Sequence, residues 1–138
     1  MNRISTDQYY LNIAKAVSER STCLRRQYGA VIVNNGEIIA TGYNGGVRGG
    51  INCTDRATCS RINKPHNSGD YGDCFAVHAE QNAIISASRR DMLNGDLYLF
   101  GRDGDNPVDD VEPCPVCMKL IINSGIKRVI TNNKIMEI

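Results

Sequence analysis

The most informative stretch of this 138-residue chain is Cys74-Phe75-Ala76-Val77-His78-Ala79-Glu80, which contains a histidine and a glutamate two residues apart. It is matched by Pro113-Cys114-Pro115-Val116-Cys117, whose first cysteine follows the histidine by 36 residues. One histidine and two cysteines are ligands that Zn²⁺ prefers, and three protein ligands leave the fourth tetrahedral position open, as in catalytic sites. Glu80 is a carboxylate that can move protons beside such a metal. The sequence therefore predicts a catalytic zinc site with His78, Cys114 and Cys117 as ligands and Glu80 as general acid/base.

Both halves of this site fall at predicted helix starts. The partial positive charge of a helix N-terminus favours thiolate over thiol, and so favours metal binding by Cys114 and Cys117. Their i, i+3 spacing places the two sulfurs on one helix face. His78 and Glu80 would diverge by about 200° on a regular helix. Both can therefore serve one cavity only if His78 lies in the irregular start of the first turn.

Composition argues against a nucleic-acid-binding, membrane or secreted protein. The chain has 16 basic and 15 acidic residues and no long basic run, so its charge gives no case for a polynucleotide partner. No apolar stretch approaches about 18 residues, and residues 1–10 lack the apolar core of a signal peptide. We expect a cytoplasmic protein without a membrane partner. We also expect a single domain over residues 1–138, with an insertion at about 46–77.

Turn signals and periodicity divide the chain into alternating helices and strands. We expect a helix over residues 7–20 capped by Thr6, then a hairpin of Tyr28–Val33 and Glu37–Thr41 joined through Asn34-Asn35-Gly36. Strands alternating with helices predict an α/β three-layer sandwich with a mixed central sheet flanked by helices. Crossovers through the later helices favour parallel pairing of the later strands. The remaining expected elements are helices His78–Arg90 and Cys114–Ser124, and strands Asp96–Phe100, Lys127–Thr131 and Ile135–Ile138.

The insertion at about 46–77 has little periodicity, and a loop that long is rare in a compact domain unless something ties it down. Six cysteines in a reducing compartment favour thiolates and metal over disulfides. Removing the catalytic pair leaves four, the number that a closed tetrahedral zinc site needs. They are Cys23, Cys53, Cys59 and Cys74. His66 could replace Cys59 or Cys74, and four separate buried thiols are the alternative.

Three polar segments allow a plain and a functional interpretation. Asn44, in a Tyr-Asn-Gly-Gly run that ends a strand, is either a turn residue or a substrate contact. Arg25 and Arg26 form either a solvated patch or a phosphate site. The acidic loop Gly101–Val111 either faces solvent or covers the site.

These motifs resemble those of the deoxycytidylate deaminases in the cytidine deaminase superfamily, from about Ser21 to Thr131. The H-x-E and P-C-x-x-C pair is a known signature of zinc-dependent nucleobase deaminases and is shared across the superfamily. The run Gly42-Tyr43-Asn44-Gly45, followed by a cysteine-bearing insertion before His78, narrows the resemblance from the superfamily to the deoxycytidylate deaminases. Two features depart from the family pattern: the segment Gly101–Glu112 separates the third strand from Pro113, and the family usually continues past the fourth strand into a further helix and strand.

The resemblance implies a cytidine-deaminase-like fold and hydrolysis of dCMP to dUMP and ammonia, which supplies thymidylate synthesis. It implies the zinc ligands and the proton shuttle already named, and metal ligands at Cys23 and Cys53. It further implies a homohexamer activated by dCTP and inhibited by dTTP, and a triphosphate effector could bring Mg²⁺. The expected substrate contacts are Asn44, Tyr43, Ala79 and Arg26.

Two other functions compete with this interpretation. Another deaminase of the superfamily could act on a nucleoside, a free base or a tRNA adenosine. A tRNA substrate would call for a basic surface, which the near-neutral composition does not suggest. A zinc-stabilised binding domain without enzymatic activity has no need for Glu80.

Overall fold

The computed structural model describes residues 2–56, 59, 74 and 76–138. Its strands are β1 (Gln27–Asn34), β2 (Glu37–Tyr43), β3 (Gly45–Gly46), β4 (Ala76–Val77), β5 (Asp96–Asp103), β6 (Asn106–Pro107), β7 (Arg128–Thr131) and β8 (Ile135–Glu137). Its helices are α1 (Thr6–Ser18), α2 (Cys53–Arg56), α3 (Ala79–Ile85), α4 (Arg89–Met92) and α5 (Pro115–Ser124). None of the helices in the described ranges is both long and apolar enough to cross a membrane.

The strands form one mixed sheet and one small pair. The sheet has the order β2-β1-β5-β7-β8, with β6 paired to β5, and β3 pairs with β4 at the base of the insertion. The expected parallel pairing is confirmed for β5 and β7, which α5 connects. On its other side β5 pairs with β1, and this pair is antiparallel. The crossover from β2 places β5 on the far side of β1, and β1 runs opposite to β2.

Helices cover both faces of the sheet, which confirms the three-layer α/β arrangement. On one face, α1 packs through Tyr10 and Ala14. On the other face, α3 and α5 pack through Ala83 and Ile121. Successive residues of β1 go to opposite faces because a strand has a side-chain period of two. On the face covered by α1, the buried strand residues are Val31, Val33, Tyr98 and Ile130. On the face covered by α3 and α5, they are Ala30, Ile32, Leu97, Leu99 and Val129.

Two glycines let the helices approach the sheet closely. A Cβ at Gly29 would overlap the backbone of α1 at Ala14. A Cβ at Gly42 would overlap the backbone of α3 at Ala79 and Ala83. The second contact fixes the start of α3, and therefore Glu80, against the end of β2.

Two expectations about helix ends were wrong. Ser5 rather than Thr6 caps α1, because its Oγ accepts a hydrogen bond of 3.1 Å from the Gln8 N–H. The expected helix His78–Arg90 is two helices, α3 and α4. Ser88 caps the second by accepting from the Asp91 N–H. A serine that bonds nearby backbone competes with helix continuation, and the Ala- and Ile-rich pattern concealed this break.

Turn chemistry was predicted more reliably. Asn35 and Gly36 both have positive φ, 53° and 74°, so the expected β1–β2 hairpin turn is confirmed. Gly125 ends α5 with φ of 85°, as its position after the helix suggested. The third strand runs on beyond Phe100, and β6 folds back on it within the acidic loop.

Candidate active site

The three predicted zinc ligands lie at the N-termini of α3 and α5. His78 precedes α3 in an extended conformation, and its N–H donates to the Gln81 side chain at 2.9 Å. Because His78 lies outside the helix, the divergence expected between His78 and Glu80 does not apply. Cys114 occupies the equivalent capping position of α5, and its sulfur accepts from the Cys117 N–H.

The ligand atoms of these residues converge. His78 Nδ1 lies 3.2 Å from Cys117 Sγ and 3.6 Å from Cys114 Sγ. All three atoms fall within 4.8 Å of one another, the one such cluster among the residues that the structure describes. Tetrahedral Zn²⁺ with bonds of about 2.0 Å to nitrogen and about 2.3 Å to sulfur spaces its ligands roughly 3.5 Å apart. The donor set and its spacing fit Zn²⁺.

The two cysteines share a hydrogen bond that polarises the pair. That bond lowers the pKa of Cys114 to about 4, with His78 contributing in the same direction. The same bond, together with burial, raises the pKa of Cys117, which retains the proton. One thiolate is therefore favoured before any metal binds, and metal binding would release the remaining thiol proton.

Glu80 lies in the first turn of α3 and is only 5% exposed. Burial raises the pKa of its carboxyl, whereas its backbone hydrogen bond and the neighbouring His78 lower it. A buried carboxyl with a raised pKa beside a metal-ligand cluster is suited to accept and return a proton.

His78, Glu80 and Cys114 line a cavity of about 110 Å³. Of the four predicted substrate contacts, Asn44, Ala79 and Arg26 line it. Tyr43 is not among the lining residues; it is 37% exposed, and its carbonyl accepts from the Asn82 side chain at 2.8 Å. The other lining residues are Cys23, Arg25, Tyr28, Cys59, Cys74, Ala76, His78, Glu80, Leu99, Glu112 and Cys114.

Asn44 has a structural role that the sequence did not reveal. Its Oδ1 accepts hydrogen bonds from Ser21 Oγ at 2.6 Å and from the Tyr28 N–H at 2.8 Å. Its Nδ2 donates to the Arg26 carbonyl at 3.0 Å. These bonds tie the start of β1 to the end of β2 beside the cavity. A side-chain amide has two N–H donors, so one can still reach a ligand.

The acidic loop ends beside the cavity. Asp110 pairs with Arg26 through two contacts, of 2.7 and 3.4 Å, and Glu112 pairs with Lys134 at 2.7 Å. Val111 between them is fully buried in the core. Asp103, Asp105 and Asp109 are exposed, as expected for a loop that faces solvent. The cavity lining includes Glu112, which follows the loop, but none of residues 101–111, so the loop does not cover the site.

The four remaining cysteines lie near one another. None of the six cysteines, all of which lie in the described residues, forms a disulfide. Burial and the neighbouring Cys53, Cys74 and Cys59 raise the pKa of Cys23 to about 12. Within the described ranges these four do not form a cluster as tight as the His78 site. His66, the possible replacement ligand, lies outside the described residues.

The chain is similar to known deaminases along almost its whole length. Residues 4–133 match the family model described as the cytidine and deoxycytidylate deaminase zinc-binding region. The deoxycytidylate deaminase of Mycobacterium phage D29 is 38% identical over 136 residues, covering 94% of this chain and 96% of that protein. The deoxycytidylate deaminase of Schizosaccharomyces pombe is 37% identical over 129 residues, covering 93% of this chain but 37% of that protein.

Solved structures give the same result. The crystal structure of dCMP deaminase from the cyanophage S-TIM5, in complex with dCMP and dUMP, superposes with a TM-score of 0.65. That match is 28% identical and covers 95% of this chain and 85% of the other. With the family model and the whole-length relative in agreement, the chain belongs to the cytidine and deoxycytidylate deaminase family.

Proposed function

We propose that this protein catalyses the hydrolytic deamination of dCMP to dUMP and ammonia, which supplies dUMP for thymidylate synthesis. The observation that carries the proposal is the convergence of His78, Cys114 and Cys117, with His78, Cys114 and the buried Glu80 lining one cavity. The names of the relatives support dCMP as the substrate, as does the similar structure described with dCMP and dUMP bound.

His78, Cys114 and Cys117 would hold the catalytic Zn²⁺. The ion would supply Lewis acidity that makes water a nucleophile near neutral pH. Both helices that carry the ligands are held against the sheet. The backbone of α3 packs closely on Gly42, and Ile121 of α5 is buried in the core. The ligand geometry is therefore preorganised rather than assembled on binding.

Glu80 would move the protons of the reaction. It takes a proton from the attacking water and delivers it to the ring nitrogen of cytosine next to the amino-bearing carbon. The oxygen adds to that carbon, and a second proton transfer through Glu80 to the amino group releases ammonia. Its burial keeps bulk water from competing for these protons.

Arg26 would bind the substrate phosphate. It lines the cavity, and Asp110 holds its guanidinium in a fixed orientation. A guanidinium has five N–H donors, and Asp110 engages two, so others can bind a phosphate oxygen. Asn44 and Ala79 would contact the nucleoside portion, since both line the same cavity.

The substrate preference is tested by measuring ammonia release from cytidine, deoxycytidine and dCMP, each alone and with dCTP or dTTP. We expect kcat/KM for dCMP to exceed that for deoxycytidine by at least about tenfold, since charge-assisted hydrogen bonds contribute roughly 1.5–3 kcal/mol each. Equal rates for nucleoside and nucleotide would contradict phosphate recognition and favour a nucleoside deaminase.

We also propose control by nucleotides in a cytoplasmic homohexamer. Apolar side chains exposed on α3 and α5, such as Ile85 at 75% and Ile122 at 57%, support burial in an assembly. We expect dCTP, with Mg²⁺, to raise apparent dCMP affinity and dTTP to lower it, by roughly 5- to 150-fold for a coupling of about 1–3 kcal/mol. Saturation curves that neither triphosphate moves would contradict regulation, and a monomer in sedimentation would contradict the hexamer.

A second, structural zinc bound by Cys23, Cys53, Cys59 and Cys74 is a further part of the proposal. Two hydrogen bonds join the start of the insertion to the segment that carries Cys23: the Thr54 N–H donates to the Thr22 carbonyl at 3.2 Å, and Thr22 Oγ1 donates to Asn52 Oδ1 at 2.9 Å. They hold the segment that carries Cys53 against the segment that carries Cys23, although the two cysteines are 30 residues apart in the sequence. A metal bound by both cysteines would stabilise this contact.

Metal analysis of protein purified without chelator is expected to find two zinc ions per chain. Replacing Cys53 with serine should reduce this to one and make the insertion more sensitive to proteolysis, because four thiolate ligands are needed to close a structural site. One zinc ion in the unmodified protein, with Cys23, Cys53, Cys59 and Cys74 all titrating freely with a thiol reagent, would contradict the second site.

A further inference from the structure

Tyr28 lines the cavity, and its ring packs against the hydrophobic core. It lies on β1 directly opposite Gly101 of β5. A Cβ at Gly101 would come within 2.6 Å of the Tyr28 ring and 2.9 Å of Val111. The ring therefore occupies the space that Gly101 leaves, packed on the core, and its orientation is fixed by its neighbours.

The hydroxyl of Tyr28 is buried and has no hydrogen-bond partner of normal geometry among the described residues. Two other tyrosine hydroxyls in the described core have partners: Tyr98 donates to Asp7 at 2.6 Å, and Tyr10 donates to the Gly36 carbonyl at 3.3 Å. An unpaired buried hydroxyl destabilises a fold, and such groups often mark a functional site.

The surroundings of this hydroxyl are charged. Burial raises the pKa of Tyr28, hydrogen bonding from the nearby Arg26 and its positive charge lower it, and the charges of Glu80 and Asp110 raise it further. Tyr28 is therefore close to both Arg26, the proposed phosphate anchor, and Glu80, the proposed proton shuttle. All three line the same cavity.

We propose that Tyr28 is a specificity-determining residue whose hydroxyl donates a hydrogen bond to the phosphate of the bound nucleotide, beside Arg26. The proposal rests on the function proposed above. A phenol can accept a hydrogen bond and donate one at the same time, so Arg26 can donate to the oxygen while its proton goes to the phosphate. A phosphate oxygen is a charged acceptor, which makes this bond stronger than one between neutral groups.

The test compares Tyr28→Phe with Tyr98→Phe in zinc-loaded protein. Tyr28→Phe removes only the hydroxyl, so kcat/KM for dCMP should fall roughly 10- to 100-fold, the loss for one hydrogen bond to a charged group. Affinity for the product dUMP in calorimetry should fall by a similar factor. The kcat/KM for deoxycytidine should change less than threefold. Tm should stay constant or rise by a few degrees, because an unpaired buried group is removed.

Tyr98→Phe is the matched control, a buried tyrosine whose hydroxyl is bonded and lies outside the cavity lining. It should show the opposite pattern, with a lower Tm and unchanged kcat/KM. For Tyr28→Phe, unchanged dCMP kinetics, an equal loss with deoxycytidine, or a lower Tm would each overturn the proposal. If the unmodified protein releases no ammonia from dCMP, the proposed function itself fails, which is distinct from these outcomes.

Discussion

Replacing Glu80 with glutamine is expected to lower kcat for dCMP by about 10⁴-fold or more, with zinc content unchanged. General acid/base groups typically contribute about 10²- to 10⁴-fold, and Glu80 would serve several proton transfers in one turnover. Glutamine keeps the size of the side chain and leaves His78, Cys114 and Cys117 in place, but cannot accept the proton. Steady-state kinetics together with metal analysis checks both parts of the expectation.

Glu112→Gln is a suitable control, since Glu112 also lines the cavity but its carboxylate pairs with Lys134. Its turnover should stay within tenfold of the unmodified protein. Retention of turnover within tenfold by Glu80→Gln would show that Glu80 is not the proton shuttle.

Replacing Cys117 with serine is expected to remove the catalytic zinc and abolish detectable turnover. Cys117 is fully buried within the ligand cluster near the start of α5, and serine cannot supply a thiolate there. Without the metal, the pKa of the nucleophilic water would rise far above neutral, to its value in bulk water, which leaves almost no hydroxide at neutral pH. Metal analysis should show one zinc ion fewer per chain.

Val116→Ala tests whether the effect is specific to the ligand. Val116 lies between the two cysteines but is exposed on α5, and its truncation should preserve both zinc and turnover. If Cys117→Ser instead kept a full complement of zinc and normal turnover, Cys117 could not be a ligand of the catalytic ion.

The parts of the fold that the sequence predicted well have local causes. Asn35-Gly36 dictates its turn because both residues tolerate positive φ, and Gly125 ends α5 for the same reason. The zinc-ligand motifs could also be recognised from the sequence, because each is contained in a few consecutive residues at the start of a helix. His78 as the N-cap of α3 is what allows it to face the same cavity as Glu80.

Features that depend on distant residues could not be predicted. Arg26 and Asp110 are 84 residues apart, so nothing near either residue indicates their ion pair. The position of the Tyr28 ring depends on Gly101, which faces it only because β5 lies next to β1. That neighbour relation also makes the β1–β5 pair antiparallel, since a crossover sets the direction of a strand but not the strand beside which it lies.

Mass spectrometry of the product formed from dCMP in ¹⁸O-labelled water tests the proposed hydrolysis most directly. The zinc-loaded protein is expected to yield dUMP carrying one ¹⁸O atom at the ring carbon that bore the amino group, with one ammonia per dUMP. Glu80→Gln protein should form almost none in the same time. Absence of labelled dUMP above the level of the Glu80→Gln protein would contradict the assignment of this chain as a hydrolytic dCMP deaminase.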